Sequence, residues 1–172
     1  MRRSHAAIGS LVFFALAPGV VAGVVPWWLT GWQLRQPPYP APLRVAGAIL
    51  LAGVAVLVYS FVRFVAEGAG TPAPIAPTQR LVVGGLYRYV RNPMYLAVLA
   101  VIVGQALVLG RPGLFAYAVA VAVAVVAFVY GYEQPTLIRT FGAEYEAYRR
   151  AVPGWWPRRR PWQPDQNLAK DD

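Results

Sequence analysis

Four apolar runs, at residues 8–29, 45–62, 93–110 and 112–132, alternate with polar stretches along the chain. About 20 helical residues cross a ~30 Å hydrocarbon core, so each run is a candidate membrane span. The first follows a basic MRRSH start, but its apolarity continues into Trp27-Trp28, an interfacial aromatic pair, which favours a span over a cleaved leader. The last contains the alternation AVAVAVAVVAF at 118–128. Its length and lack of charge favour a helix over a strand, because in lipid only helices and closed barrels satisfy the backbone. Gly110-Arg111-Pro112-Gly113 reads as a tight turn, so the last two runs form a helical hairpin. Ala116, Ala120 and Ala124 would let a neighbouring helix approach closely. Beyond residue 132, Leu137, Phe141, Tyr145, Tyr148 and Val152 recur at amphipathic-helix spacing, with Glu146 and Arg150 placed to pair. The predicted fold is an all-α integral membrane domain over residues 1–162. It has about four transmembrane helices, a C-terminal hairpin and a cytoplasmic amphipathic helix, with a disordered tail at 163–172.

The longest polar interval, 70–95, is too dense and irregular for a simple connector. Pro72, Pro74 and Pro77 forbid a regular helix, since each ring removes an amide donor and restricts the residue before it. Gly84-Gly85 permits a sharp turn. Tyr87, Arg88, Tyr89 and Arg91 follow, and Asn92-Pro93 reads as a helix start with Asn92 as cap.

Composition sharpens this picture. The chain is 58% hydrophobic and 13% charged, against roughly a quarter charged in a soluble domain. The net charge of +9 suits anionic lipid headgroups rather than nucleic acid, because no soluble face carries a basic stripe. Arg2, Arg3, Arg80, Arg88, Arg91 and the C-terminal arginines fall on one side of a four-span bundle, with Arg35, Arg44 and Arg111 on the other. By the positive-inside rule both termini and the central loop are cytoplasmic. There is no cysteine and a single histidine, His5, so neither a metal centre nor a Ser-His-Asp triad is expected.

Glu133 is the first acid after a long stretch without one, where the last span leaves the membrane. It reads either as a helix-end charge or as a carboxylate at the mouth of the bundle that binds a cationic or hydroxyl-bearing ligand. Arg88 and Arg91 read equally as positive-inside anchors. Gly84-Gly85 lacks the G-K-[ST] and the strand-helix context of a nucleotide loop.

The ordered combination is more specific than its parts. LVVGGLYRYVRNPMY precedes Glu133, Pro135, Leu137, Phe141-Gly142, Glu144-Tyr145, Tyr148 and Val152-Pro153. Together they strongly resemble the integral-membrane methyltransferases of the isoprenylcysteine carboxyl methyltransferase and phospholipid methyltransferase group. The resemblance covers roughly 70–157, and GTPAP at 70–74 is shared with bacterial relatives, so a bacterial cytoplasmic membrane is the expected location. It implies S-adenosylmethionine bound without a dinucleotide-type fold. The implied cofactor contacts are Gln79, Arg80, Leu81 and Val82 through their backbone, Tyr87, the helix start Asn92, Pro93, Met94 and Tyr95, and Glu133. Arg88, Arg91 and Tyr95 are the candidates for a catalytic role. Aromatic faces suit a sulfonium, and in-line methyl transfer from an activated donor can rely on alignment and dehydration. The acceptor would be a lipid or small amphiphile entering from the bilayer.

The chain departs from the family pattern at three positions. His is frequent where this chain has Asn92. Gln134 replaces the second acid of a Glu-Glu pair. Val129 stands where the prenylcysteine enzymes carry an arginine for the substrate carboxylate, which argues against a prenylcysteine acceptor. Two other classes compete: an NADPH-dependent membrane reductase of sterol-reductase-like architecture, and a non-catalytic membrane scaffold.

Overall fold

The computed structural model describes residues 17–68 and 80–163. Residues 8–16 of the first predicted span, Gln79, most of the Pro-rich stretch of the central loop and the tail from 164 lie outside the described residues.

Six helices account for the described chain: α1 (Ala17–Thr30), α2 (Ala41–Leu51), α3 (Gly53–Gly68), α4 (Pro93–Leu109), α5 (Gly113–Phe128) and α6 (Gln134–Ala151). No strand occurs among the described residues. Two stretches are helical, long and apolar enough to cross a membrane: Ala41–Phe64, running through α2 and α3, and Gly113–Ala151, running from α5 into α6, each containing 18 consecutive residues of mean hydropathy 2.4. Ile49, Val54, Val62, Val119 and Val123 along them are exposed, a surface suited to lipid rather than water. The expectation of four full spans is met only in part. α4 begins at Pro93 and stops at Gly110, whose φ of 69° ends the helix. Its 17 residues rise only about 26 Å.

α4 is the hub. It packs against α2, α3, α5 and the first turns of α1, and is apolar all round because it has neighbours all round. Leu57, Ala97, Val98, Ile102 and Ala118 form the bundle core. The tightest crossing is made by glycine. A Cβ on Gly47 would come within 2.8 Å of the Gly104 carbonyl, and the reverse holds equally. Ala116, Ala120 and Ala124, expected to make such a crossing, are exposed. α4 takes its glycine neighbour on another face, and spacing of small residues alone does not say which helix face is covered.

The bundle has two distinct ends. At one, the Arg35 amide donates to the Leu109 carbonyl (2.9 Å) and Arg111 Nε to the Gln33 carbonyl (3.1 Å). This ties the 31–40 loop to the α4–α5 turn. At the other, the strip 80–92 meets α6 and the segment 152–162. There the expected amphipathic pattern closes a second core. Tyr145, Tyr148 and Val152 are buried against Leu81, Val83, Leu137, Phe141 and Trp162. α6 can fold back this way because Gly142 breaks it with φ 50°, ψ −124°, a conformation open to residues without a Cβ. Glu146 and Arg150 are exposed, and they form no ion pair. The salt bridge among the described residues is Arg63–Glu67.

Candidate functional site

The strip 80–92 is shaped before it is filled. Gly85, at φ +56°, turns the chain into a short 3-10 turn over Gly85–Arg88. The C-terminal segment then clamps it. Tyr148 Oη donates to the Tyr87 carbonyl (2.7 Å). The amides of Arg158 and Trp162 donate to the Tyr89 and Arg88 carbonyls (2.9 Å each), and the Arg91 amide donates to the Pro153 carbonyl (3.0 Å). A loop without a ladder of its own needs such partners for its backbone.

The predicted site residues separate into distinct environments. Arg80 is exposed, Val82 is buried, and Leu81 packs with Tyr145 and Tyr148. Tyr87 is buried and donates its hydroxyl to the Ser60 carbonyl at 3.4 Å. Arg88 Nε donates to the Trp162 carbonyl at 2.7 Å, so this cation fastens the C-terminal segment. Arg91 donates through Nη1 to Tyr145 Oη at 3.1 Å, yet its Nε is buried without a partner. Asn92 stands at the N-cap position of α4, but its side chain makes no capping bond. Its Nδ2 is buried and unpartnered instead. Pro93 opens α4, and Met94 packs against the bundle core. Tyr95 Oη donates to Glu133 Oε2 at 2.9 Å.

Glu133 is aimed by a local distortion. α5 leads into a π-helical turn, Val129–Glu133, and π-turns within α-helices recur at functional sites. The wider turn shifts the register of everything after it. Twenty residues from Gly113 rise about 30 Å, so Glu133 follows the apolar part of the stretch Gly113–Ala151. Burial pushes its carboxyl above the ordinary range, while the Tyr95 hydrogen bond and the Arg91 charge pull it back. Burial likewise raises Tyr87, helped by the nearby Tyr148, Glu133 and Glu67, so its hydroxyl stays a donor. Val129 and Gln134 are buried.

Tyr87, Arg91, Asn92, Tyr95 and Glu133 therefore converge at one end of α4, with Tyr145 and Tyr148 as supports. Buried donors without partners at the same helix end as a half-buried carboxylate form an incomplete hydrogen-bonding set. A ligand bearing both an ammonium and a carboxylate or hydroxyl groups would complete it. Neither a cluster of metal-ligating side chains nor a cysteine occurs among the described residues. An open apolar groove of about 560 Å³ adjoins across Val90 and Pro93. Gly53, Val56, Leu86, Ala97 and Pro157 help to line it.

Sequence reasoning missed Ser60, Arg63 and Glu67, which α3 presents to the strip. Their spacing of three and four residues at the end of an apolar run was the available signal.

A family model described as phospholipid methyltransferase matches residues 42–144, more than half of the chain. No curated protein and no solved structure matches it.

Proposed function

The chain belongs to the phospholipid methyltransferase family, and from that premise we propose that it transfers a methyl group from S-adenosylmethionine to a lipid or small amphiphilic acceptor at the membrane interface. One observation carries the reading. The half-buried Glu133 carboxylate, held by Tyr95 and near the Arg91 charge, lies at the same end of α4 as the unpartnered donors Arg91 Nε and Asn92 Nδ2, all inside the family match. When bound, the cofactor supplies an electrophilic methyl group on a sulfonium. Glu133 pairs with its ammonium or accepts from its ribose. Asn92 donates to it, and Tyr87 and Tyr95 offer aromatic faces to the cation. Backbone groups of 80–82 and the helix start Asn92, Pro93, Met94 and Tyr95 complete the pocket. Arg91 orients the acceptor's polar end, and Arg88 acts only by holding the strip.

The apolar groove beside Pro93 supports an acceptor with an aliphatic part that approaches from the bilayer. Val129, buried and uncharged, offers nothing to a prenylcysteine carboxylate. The proposed topology has four spans, with the strip 80–92 and both termini cytoplasmic. Since the chain has no cysteine, single cysteines report sidedness directly. Gln36→Cys and Arg111→Cys should label from one face of the membrane, Arg80→Cys and Arg160→Cys from the other. Labelling of positions 36 and 80 from the same face would refute the topology.

The activity reading is tested by thermal stabilisation of the purified protein with S-adenosylhomocysteine and with NADPH. A ligand that binds only the folded state raises its melting point. S-adenosylhomocysteine should stabilise and NADPH should not. The opposite ranking would favour a reductase, and no response to either would favour a scaffold.

A further inference from the structure

α3 carries a polar stripe that the site above does not use. Ser60, Arg63 and Glu67 lie on one helix face, and Glu67 forms an ion pair with Arg63. Glu67 Oε2 also accepts from the Gly84 amide at 2.9 Å. A Cβ built on Gly84 would fall on the Glu67 carboxylate, so the glycine leaves the room that the acid occupies. One residue on, a Cβ on Gly85 would meet Tyr59 Oη at 2.9 Å and Arg63 Nε at 3.2 Å. Two residues beyond, Tyr87 is pinned to the same helix through the Ser60 carbonyl and against the ring of Phe64, at 6.1 Å between centroids. Both glycines of the turn are thus fitted to α3 side chains, and the turn determines where Tyr87 stands.

We propose that Glu67, oriented by Arg63, is a positioning residue: it latches the Gly84–Gly85 turn to α3 and so holds Tyr87 in the cofactor pocket. This rests on the methyltransferase reading for the identity of the ligand. The ion pair is half exposed, its side chains being 42% and 27% accessible, so it adds little to folding stability. Its effect falls on the geometry of the turn. A site loosened by a fraction of an ångström loses affinity even when every contact residue remains.

Two variants break the latch from opposite sides. Glu67→Ala removes the acceptor. Gly84→Ala keeps every charge but displaces the carboxylate, which can swing aside on its flexible stem. The Gly84 backbone, at φ −87°, ψ 170°, accepts alanine without strain. Each variant should weaken S-adenosylhomocysteine binding about tenfold, the worth of a charge-assisted hydrogen bond. Each should also speed amide hydrogen exchange over 84–87, with little change in melting point. The double variant should be no worse than either single one, because both remove the same contact. Glu67→Gln retains an acceptor and should recover most of the affinity. Wild-type exchange and affinity in either variant would overturn the latch. A lowered melting point with unchanged affinity would overturn it too, leaving a purely structural contact. If the wild type itself fails to bind S-adenosylhomocysteine, the methyltransferase reading and the positioning role fall together, an outcome distinct from equal binding by wild type and variants.

Discussion

The two ends of the bundle use polar side chains in opposite ways. At the end formed by the 31–40 loop and the α4–α5 turn, buried polar groups are matched. Gln105 accepts from Trp32 Nε1 (3.1 Å) and donates to the Ala22 carbonyl (2.7 Å), while Tyr117 donates to the Val21 carbonyl (2.8 Å). Both carbonyls belong to the π-helical turn Val20–Val24, so a distorted helix is fastened by two side chains from the hairpin. At the other end stand Ser60 Oγ, Arg63 Nε, Arg91 Nε and Asn92 Nδ2. Among the described residues these are the buried side-chain polar atoms without a hydrogen-bond partner. Each such group costs about 1–3 kcal/mol. A closed polar set holds helices together. An open one, concentrated at one end, is what a polar ligand would complete. The two π-turns make the same contrast: the one in α1 has two carbonyls bound by side chains of the hairpin, whereas the one after α5 delivers Glu133 to the open set.

The largest effect that would break this contrast is at Glu133. Gln at this position can still accept from Tyr95, so folding should be nearly unchanged. Binding of S-adenosylhomocysteine should weaken by on the order of 2–5 kcal/mol, the range for losing one member of a desolvated charge pair. Calorimetry on wild type and Glu133→Gln, with helix content checked, decides it. Unchanged affinity in a folded variant removes Glu133 from the site. The pH dependence sharpens the test. Burial raises the Glu133 carboxyl pKa in the folded protein, so between its ordinary and raised values the folded state holds more protons than the unfolded one. The stability of the free protein should therefore fall as pH rises through that window. Affinity for a ligand bearing an ammonium should rise over the same window, as the carboxylate forms. Glu133→Gln should abolish both slopes.

Much of this organisation was legible in the sequence because it is local or periodic. The spacing of Leu137, Phe141, Tyr145, Tyr148 and Val152 defines a face, and that face is the one buried over the strip. Gly84-Gly85 marks a turn because one of the pair needs positive φ. The prominence of Glu133 followed from its isolation among apolar residues. What was not legible depends on tertiary context. The π-turn at Val129–Glu133 leaves no mark in composition. Asn92 has the sequence of a cap, yet its side chain faces the protein interior without a partner. The crossing of α2 and α4 uses Gly47 and Gly104, far apart in the chain, rather than the regular alanines of α5. The role of Glu67 was not legible because its partner, the Gly84 amide, lies beyond the intervening loop.

A smaller effect is expected at the matched end, and it tests the contrast from the other side. Gln105→Leu keeps the side chain's approximate volume in α4 but strips the Ala22 carbonyl and Trp32 Nε1 of their partner. Trp32 is 57% exposed and can regain a hydrogen bond outside the bundle, so the loss falls mainly on the carbonyl in α1. Interhelical hydrogen bonds in membranes are worth about 0.6 to 2 kcal/mol, and the variant should lose stability within that range, read as a lower melting point in detergent. Its affinity for S-adenosylhomocysteine should match the wild type, because Gln105 shares no contact with the strip 80–92 or with Glu133. A fall in affinity comparable to that of Glu133→Gln, with stability intact, would mean that the two ends are coupled through α4. The division into a structural end and a binding end would then be wrong.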